Sequence, residues 1–128
     1  MDVVAAIIEN NDGDILIAKR NSKKSQGGLW EFPGGKIEKN ESADDAIKRE
    51  IKEELNIDIE INKWLIEKRH EYPEKTINLI LCSAKWIGGE LDLSEHEDSK
   101  WIKKEDIFNF QFADADKEII NEIFETKK

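Results

Sequence analysis

Five charged residues recur at spacings that would do chemistry around a single helix: Glu41, Arg49, Glu50, Glu53 and Glu54. Between them Ala43, Ile47, Ile51 and Leu55 fall on one stripe when the chain is wound at about 100° per residue. On that wheel Glu54 projects inside the apolar stripe, Glu50 lies on its border and Glu53 next to Glu50. An unpaired carboxylate aimed at a core costs several kcal/mol or is neutralised by a raised pKa. Glu54 therefore needs a cation, either Arg49 or a metal ion. Three carboxylates at i, i+3 and i+4 repel one another, yet an oxygen-rich cluster of this kind is what a hard divalent ion such as Mg2+ accepts. Lys48 and Lys52 would pair with the same acids if the face were simply solvated. The position of Glu54 within the stripe favours the metal.

The elements that must hold these residues are legible on either side. Ser42, followed three residues later by Asp45, reads as a capping box, and Glu41 and Asp44 suit the positive end of a helix dipole, so a helix is predicted over 43–55. Val3 to Ile8 and Ile15 to Ala18 are apolar runs separated by Asn10-Asn11-Asp12-Gly13, which predicts a hairpin. The polar stretch Asn21 to Gly28 reads as a loop beside a site. Strands are predicted over Ile57 to Lys68, Thr76 to Trp86 and Ser99 to Ile102, the first two joined through Glu71-Tyr72-Pro73-Glu74. A last helix is predicted from Asp114 to Glu125, with Ile119, Ile120, Ile123 and Phe124 at helical spacing. Strands around one central helix, closed by another, predict an α/β fold in which a mixed sheet is sandwiched between helices.

A length of 128 residues suits one domain, 1–128, and four Trp and five Phe help to supply a sizeable core. Twenty Lys and Arg against 29 Asp and Glu leave a net charge of -9, which opposes binding of nucleic acid polymers or anionic membranes. A phosphate-rich ligand would need local cations. No secretory or membrane-spanning segment is recognisable near Met1, so a soluble, cytoplasmic protein is expected. The lone Cys82 lies in the apolar run 79–82 and reads as a buried structural thiol, and His70 and His96 read as surface residues.

Gly35, Glu41, Arg49-Glu50, Ile51, Glu53-Glu54 and Asn56-Ile57 stand at the spacing G-x5-E-x7-R-E-U-x-E-E-x-G-U, with U an aliphatic residue, and this resembles the Nudix box. The one departure is Asn56 in place of Gly just beyond the helix, where a left-handed residue is expected. Asn is the next most tolerated type there. The preceding Leu29-Trp30-Glu31-Phe32-Pro33-Gly34-Gly35-Lys36 resembles the MutT-like branch, which acts on nucleoside triphosphates. The resemblance covers nearly the whole chain and implies the Nudix fold, an α/β/α sandwich.

It further implies that Glu50, Glu53 and Glu54 ligate Mg2+, with Mn2+ as the alternative, and that the Gly34 carbonyl and Glu95 complete the metal shells. Glu53, Glu50 and Glu95 are the candidates for general base, and the residues do not choose among them. Arg49 and Glu41 are expected to pair and brace the acids. Arg20, Glu95 and Asp116 fall where that branch keeps functional residues, and Lys36, as a contact to phosphate, and Phe32, as an aromatic that could stack on the base or fill the core, are the further substrate-binding candidates beside Arg20 and Asp116. The implied reaction is hydrolysis of a nucleoside triphosphate to monophosphate and pyrophosphate, with 8-oxo-dGTP sanitation placed first. CTP or a modified-pyrimidine triphosphate is the alternative, and a ligand-sensing module without metals is the non-enzymatic rival. Asp116, if ionised, would only accept hydrogen bonds from a base. A monomer or homodimer is expected.

Overall fold

The computed structural model describes residues 1–24 and 26–124. Seven strands and two helices follow in the order β1 (Asp2–Glu9), β2 (Ile15–Lys19), β3 (Trp30–Glu31), β4 (Gly34–Lys36), α1 (Ala43–Leu55), β5 (Ile57–Glu71), β6 (Thr76–Gly89), β7 (Asp98–Ile102) and α2 (Asp114–Phe124). A 3-10 turn at Lys104–Asn109 precedes α2. Glu125, the predicted last residue of α2, lies outside the described residues.

The strands form one mixed sheet in the order β3-β2-β1-β6-β5, with β4 added to β1 and β7 to β2. β1 runs parallel to β6, antiparallel to β4 through Val3 to Ala5, and meets β2 antiparallel at Glu9 and Ile15. Successive side chains of a strand point to opposite faces, and β1 is apolar on both. Val4, Ala6 and Ile8 join Ala46, Ile47, Ile51 and Leu55 of α1 in one core. Ala5 and Ile7 join Ala115, Ile119 and Ile120 of α2 in the other. The sheet therefore lies between the two helices, as the sequence predicts.

α1 begins and ends where its chemistry says it should. Ser42 accepts a hydrogen bond from the Asp45 N–H at 3.1 Å, and Asn56 adopts the left-handed conformation at φ 60° with its N–H on the Lys52 carbonyl. α2 is pinned to β5 and its hairpin by Lys68 to Glu122, by His70 Nδ1 to Glu118 at 3.1 Å, and by the Ala115 N–H, which donates to the Tyr72 hydroxyl at 3.1 Å. Cys82 is buried between β6 and α1, where burial pushes its thiol up to about 12. No described helix is long and apolar enough to cross a membrane.

Candidate active site

A cleft of about 310 Å³ opens beside β1, β3 and β4. It brings together seven of the residues singled out from sequence: Arg20, Phe32, Gly34, Lys36, Glu54, Glu95 and Asp116. Arg49, Glu50 and Glu53 do not line it directly.

Arg49 organises the acids behind the cleft. Its Nε and Nη2 reach both oxygens of Glu41 at 2.7 and 3.0 Å, a bidentate pair. Nη1 meets Glu50 at 3.0 Å and Glu53 at 3.2 Å, and Nη2 also donates to the Lys36 carbonyl at 3.0 Å. The pairing with Glu41, opposed by some burial and reinforced by Glu50, raises the guanidinium pKa further, and Arg49 in turn holds Glu41 below the usual carboxylate range. This is the bracing role the resemblance implies, and it joins the end of β4 to the middle of α1.

Glu50 sits where no side chain intervenes: a Cβ on Gly35 would fall 2.3 Å from its carboxylate. Gly34 is packed as tightly, since a Cβ there would lie 1.9 Å from the Val4 carbonyl. Both glycines let β4 approach its neighbours closely. Glu53 is mostly exposed and turned to Arg49.

Glu54 is the acid that points inward. Burial, followed by the charge of Glu50, pushes its carboxyl up to about 8, with Glu31 and Glu95 adding to the effect. Its Oε1 is buried without a hydrogen-bond partner. Among the described residues no three His, Cys, Asp or Glu side chains converge as a ready-made ion cage. The donor set nonetheless fits a hard cation. An orphaned carboxylate oxygen beside a second carboxylate is relieved by a divalent ion, and the absent Cβ of Gly35 leaves Glu50 room to take part.

Two residues to which the sequence assigned no role, Glu31 and His96, line the cleft. Glu31 receives Arg20 Nη1 at 2.9 Å on one oxygen and lies 2.8 Å from His96 Nε2 on the other. Burial raises its pKa, but His96 and Arg20 outweigh that and hold Glu31 ionised, below the usual carboxyl value. His96 is not the surface residue its acidic neighbours suggest; its side chain is 5% exposed. The signal for Glu31 was its place between Trp30 and Phe32, a charged residue flanked by buried aromatics.

Asp116, in the first turn of α2, is buried, lines the same cleft and accepts the Phe32 N–H at 2.9 Å. Burial, then the nearby charge of Glu31, pushes its carboxyl up to about 8 against the opposing effect of Phe32 and Arg20. The shift favours the neutral carboxyl, a form that donates as well as accepts, over the acceptor-only ionised form. Phe32 lines the cleft but is packed with Phe112 and Phe124, at 5.6 and 6.5 Å between ring centroids. At the rim Glu95 is ion-paired with Lys24 at 2.7 Å, which holds its carboxyl down. The exposed Lys36 joins Arg20, Lys24 and Lys75 as the cations of this cleft in an otherwise acidic protein.

A family model described as NUDIX domain matches residues 4–122. A CTP pyrophosphohydrolase of Escherichia coli K12 is 38% identical over 116 residues, spanning 91% of this chain and 85% of that protein. An 8-oxo-dGTP diphosphatase of Haemophilus influenzae is 31% identical over 125 residues, spanning 96% and 90%. The crystal structure of a MutT protein from Methanosarcina mazei superposes with a TM-score of 0.86 at 27% identity, covering 98% of this chain and 92% of that one.

Proposed function

The chain belongs to the NUDIX family, and we propose that it is a single-domain Nudix hydrolase, residues 1–128, that cleaves a nucleoside triphosphate to monophosphate and pyrophosphate with a divalent metal ion. The observation that carries the reading is the buried, partnerless Glu54 oxygen beside Glu50, in a cleft that Asp116 also lines. Family members work with divalent metal, and Mg2+ is the ion proposed here, held by Glu50, Glu53 and Glu54 with the Gly34 carbonyl and Glu95. When bound, such an ion neutralises polyphosphate oxygens and lowers the pKa of an attacking water.

The protein's own residues do the rest. Arg49 keeps Glu50 and Glu53 side by side, and Glu41 keeps Arg49 in place. Arg20 and Lys36 supply the positive charge that an acidic protein must concentrate where phosphates lie. Glu53, Glu50 or Glu95 takes the proton of the attacking water, and each stands within the acid cluster or over the cleft.

For the base we propose oxidised guanine, as in 8-oxo-dGTP. Its edge presents a carbonyl and N–H groups together, and a neutral Asp116 carboxyl both donates and accepts. CTP or a modified pyrimidine triphosphate is the second reading. It is favoured by the identity with the E. coli CTP pyrophosphohydrolase, and the same carboxyl would meet the amine and ring nitrogen of cytosine. A nucleotide substrate of either kind suits a cytoplasmic monomer or homodimer. Turnover of a panel of nucleoside triphosphates and diphosphate conjugates with Mg2+, scored by kcat/KM, tests the proposal. Binding of nucleotides without hydrolysis of any would favour a ligand-sensing module.

A further inference from the structure

Among the described residues two buried side-chain polar atoms lack a hydrogen-bond partner, Glu54 Oε1 and His96 Nδ1, and both residues line the same cleft. A bound divalent cation would satisfy the first. The second belongs to a ring whose single polar contact is Nε2 to Glu31, and because an ionised carboxylate only accepts, Nε2 is the donor. A buried imidazole with one nitrogen unpaired carries a desolvation cost that a phenylalanine of similar volume would not. Packing therefore does not explain the histidine; its bond to Glu31 does.

Glu31 passes that restraint on. Its other oxygen takes Arg20 Nη1 at 2.9 Å, and its charge is felt by both Glu54 and Asp116. The loop that carries His96 is fastened elsewhere. The Ser94 N–H donates to the Glu54 carbonyl at 3.1 Å, and the Glu97 N–H to the Lys19 carbonyl at 2.9 Å. Losing the His96 bond would leave the loop in place and remove one of the two side-chain restraints on the Glu31 carboxylate.

We propose that His96 is a positioning residue for substrate binding: by fixing Glu31 it holds the Arg20 guanidinium in the cleft that Glu54 and Asp116 also line. The proposal rests on the reading of this cleft as a nucleotide site. A contact made equally in ground and transition states changes KM rather than kcat.

Three substitutions separate donor from shape. His96→Phe keeps the ring and removes the donor. His96→Asn places its amide nitrogen near the position of Nδ1, short of Glu31. His96→Gln restores a donor at about the reach of Nε2. With the best triphosphate of the panel and Mg2+, His96→Phe and His96→Asn are expected to raise KM about tenfold or more, with kcat within about threefold, while His96→Gln stays within about threefold of wild type in both. Melting temperatures of all three should stay within about 3 °C of wild type. A second readout needs no turnover: nitrogen NMR of the substrate-free protein should show Arg20 guanidinium rotation slowed in wild type and His96→Gln and faster in the other two. Hydrolysis of no nucleotide, with Arg20 still restrained in this His96-dependent way, overturns the functional reading and supports the anchor. An Arg20 equally restrained in His96→Phe, a KM unchanged in that variant, or losses that follow melting temperature alike in all three variants, overturns the positioning role.

Discussion

Replacing Glu54 with glutamine separates the cost of its charge from the packing of its side chain. Burial and the neighbouring Glu50 lift the carboxyl from its ordinary 4.5 to about 8, a gap worth about 5 kcal/mol against the ionised form at most. About half of that, 2–3 kcal/mol, is expected once neighbouring groups relax and water reaches the site. Between pH 4.5 and 8 the native protein binds more protons at this group than the unfolded chain does. Stability therefore falls as pH rises through that window, and the loss is complete above it. Glutamine cannot ionise and lacks this slope. Somewhat over half of that loss falls between pH 6 and pH 9, so thermal melts in EDTA should show wild type losing about 3–7 °C more than Glu54→Gln over that range. Saturating Mg2+ should restore the wild type alone, because a bound ion satisfies the carboxylate and stabilises only the form that binds it. Parallel pH profiles in the two proteins, or an equal response to Mg2+, would refute the reasoning.

Three further outcomes are expected. Gly35→Ala places a Cβ against the Glu50 carboxylate, which can swing aside without backbone strain; turnover should fall about a hundredfold or more while the melting temperature barely changes. Glu53→Gln should lower turnover by at least about a hundredfold with the fold intact, while Glu38→Gln, an exposed neighbour 3.7 Å from Arg49, stays near wild type. Asp116→Asn keeps an oxygen for the Phe32 N–H but fixes the remaining atom as a donor, so the ratio of kcat/KM between cytosine and guanine substrates should move about tenfold. A uniform loss across bases would assign Asp116 to holding Phe32 alone.

Where local chemistry decided the structure, the sequence was readable. The Ser42 cap, the apolar stripe and the left-handed Asn56 place α1 at its observed bounds, and the Nudix-box spacing anticipates the pairing of Arg49 with Glu41. The ends of β5 and β6 extend beyond the apolar runs because backbone pairing continues through polar residues such as His70 and Glu71, opposite Ile77 and Thr76. β3 and β4 are too short for any periodicity to show; they exist because β1 and β2 offer edges to pair with. His96 misled because Glu95, Glu97 and Asp98 around it mark a solvated loop, and its partner Glu31 is 65 residues away. The raised pKa of Asp116 was likewise hidden, since it follows from burial and from Glu31, both properties of the folded chain.

The central claim is tested most directly by phosphorus NMR of the products formed from the best triphosphate with Mg2+ in oxygen-18 water. Nucleoside monophosphate and pyrophosphate, with the label in one of the two only, are the predicted result. Nucleoside diphosphate with orthophosphate, or no turnover of any triphosphate offered, would contradict it.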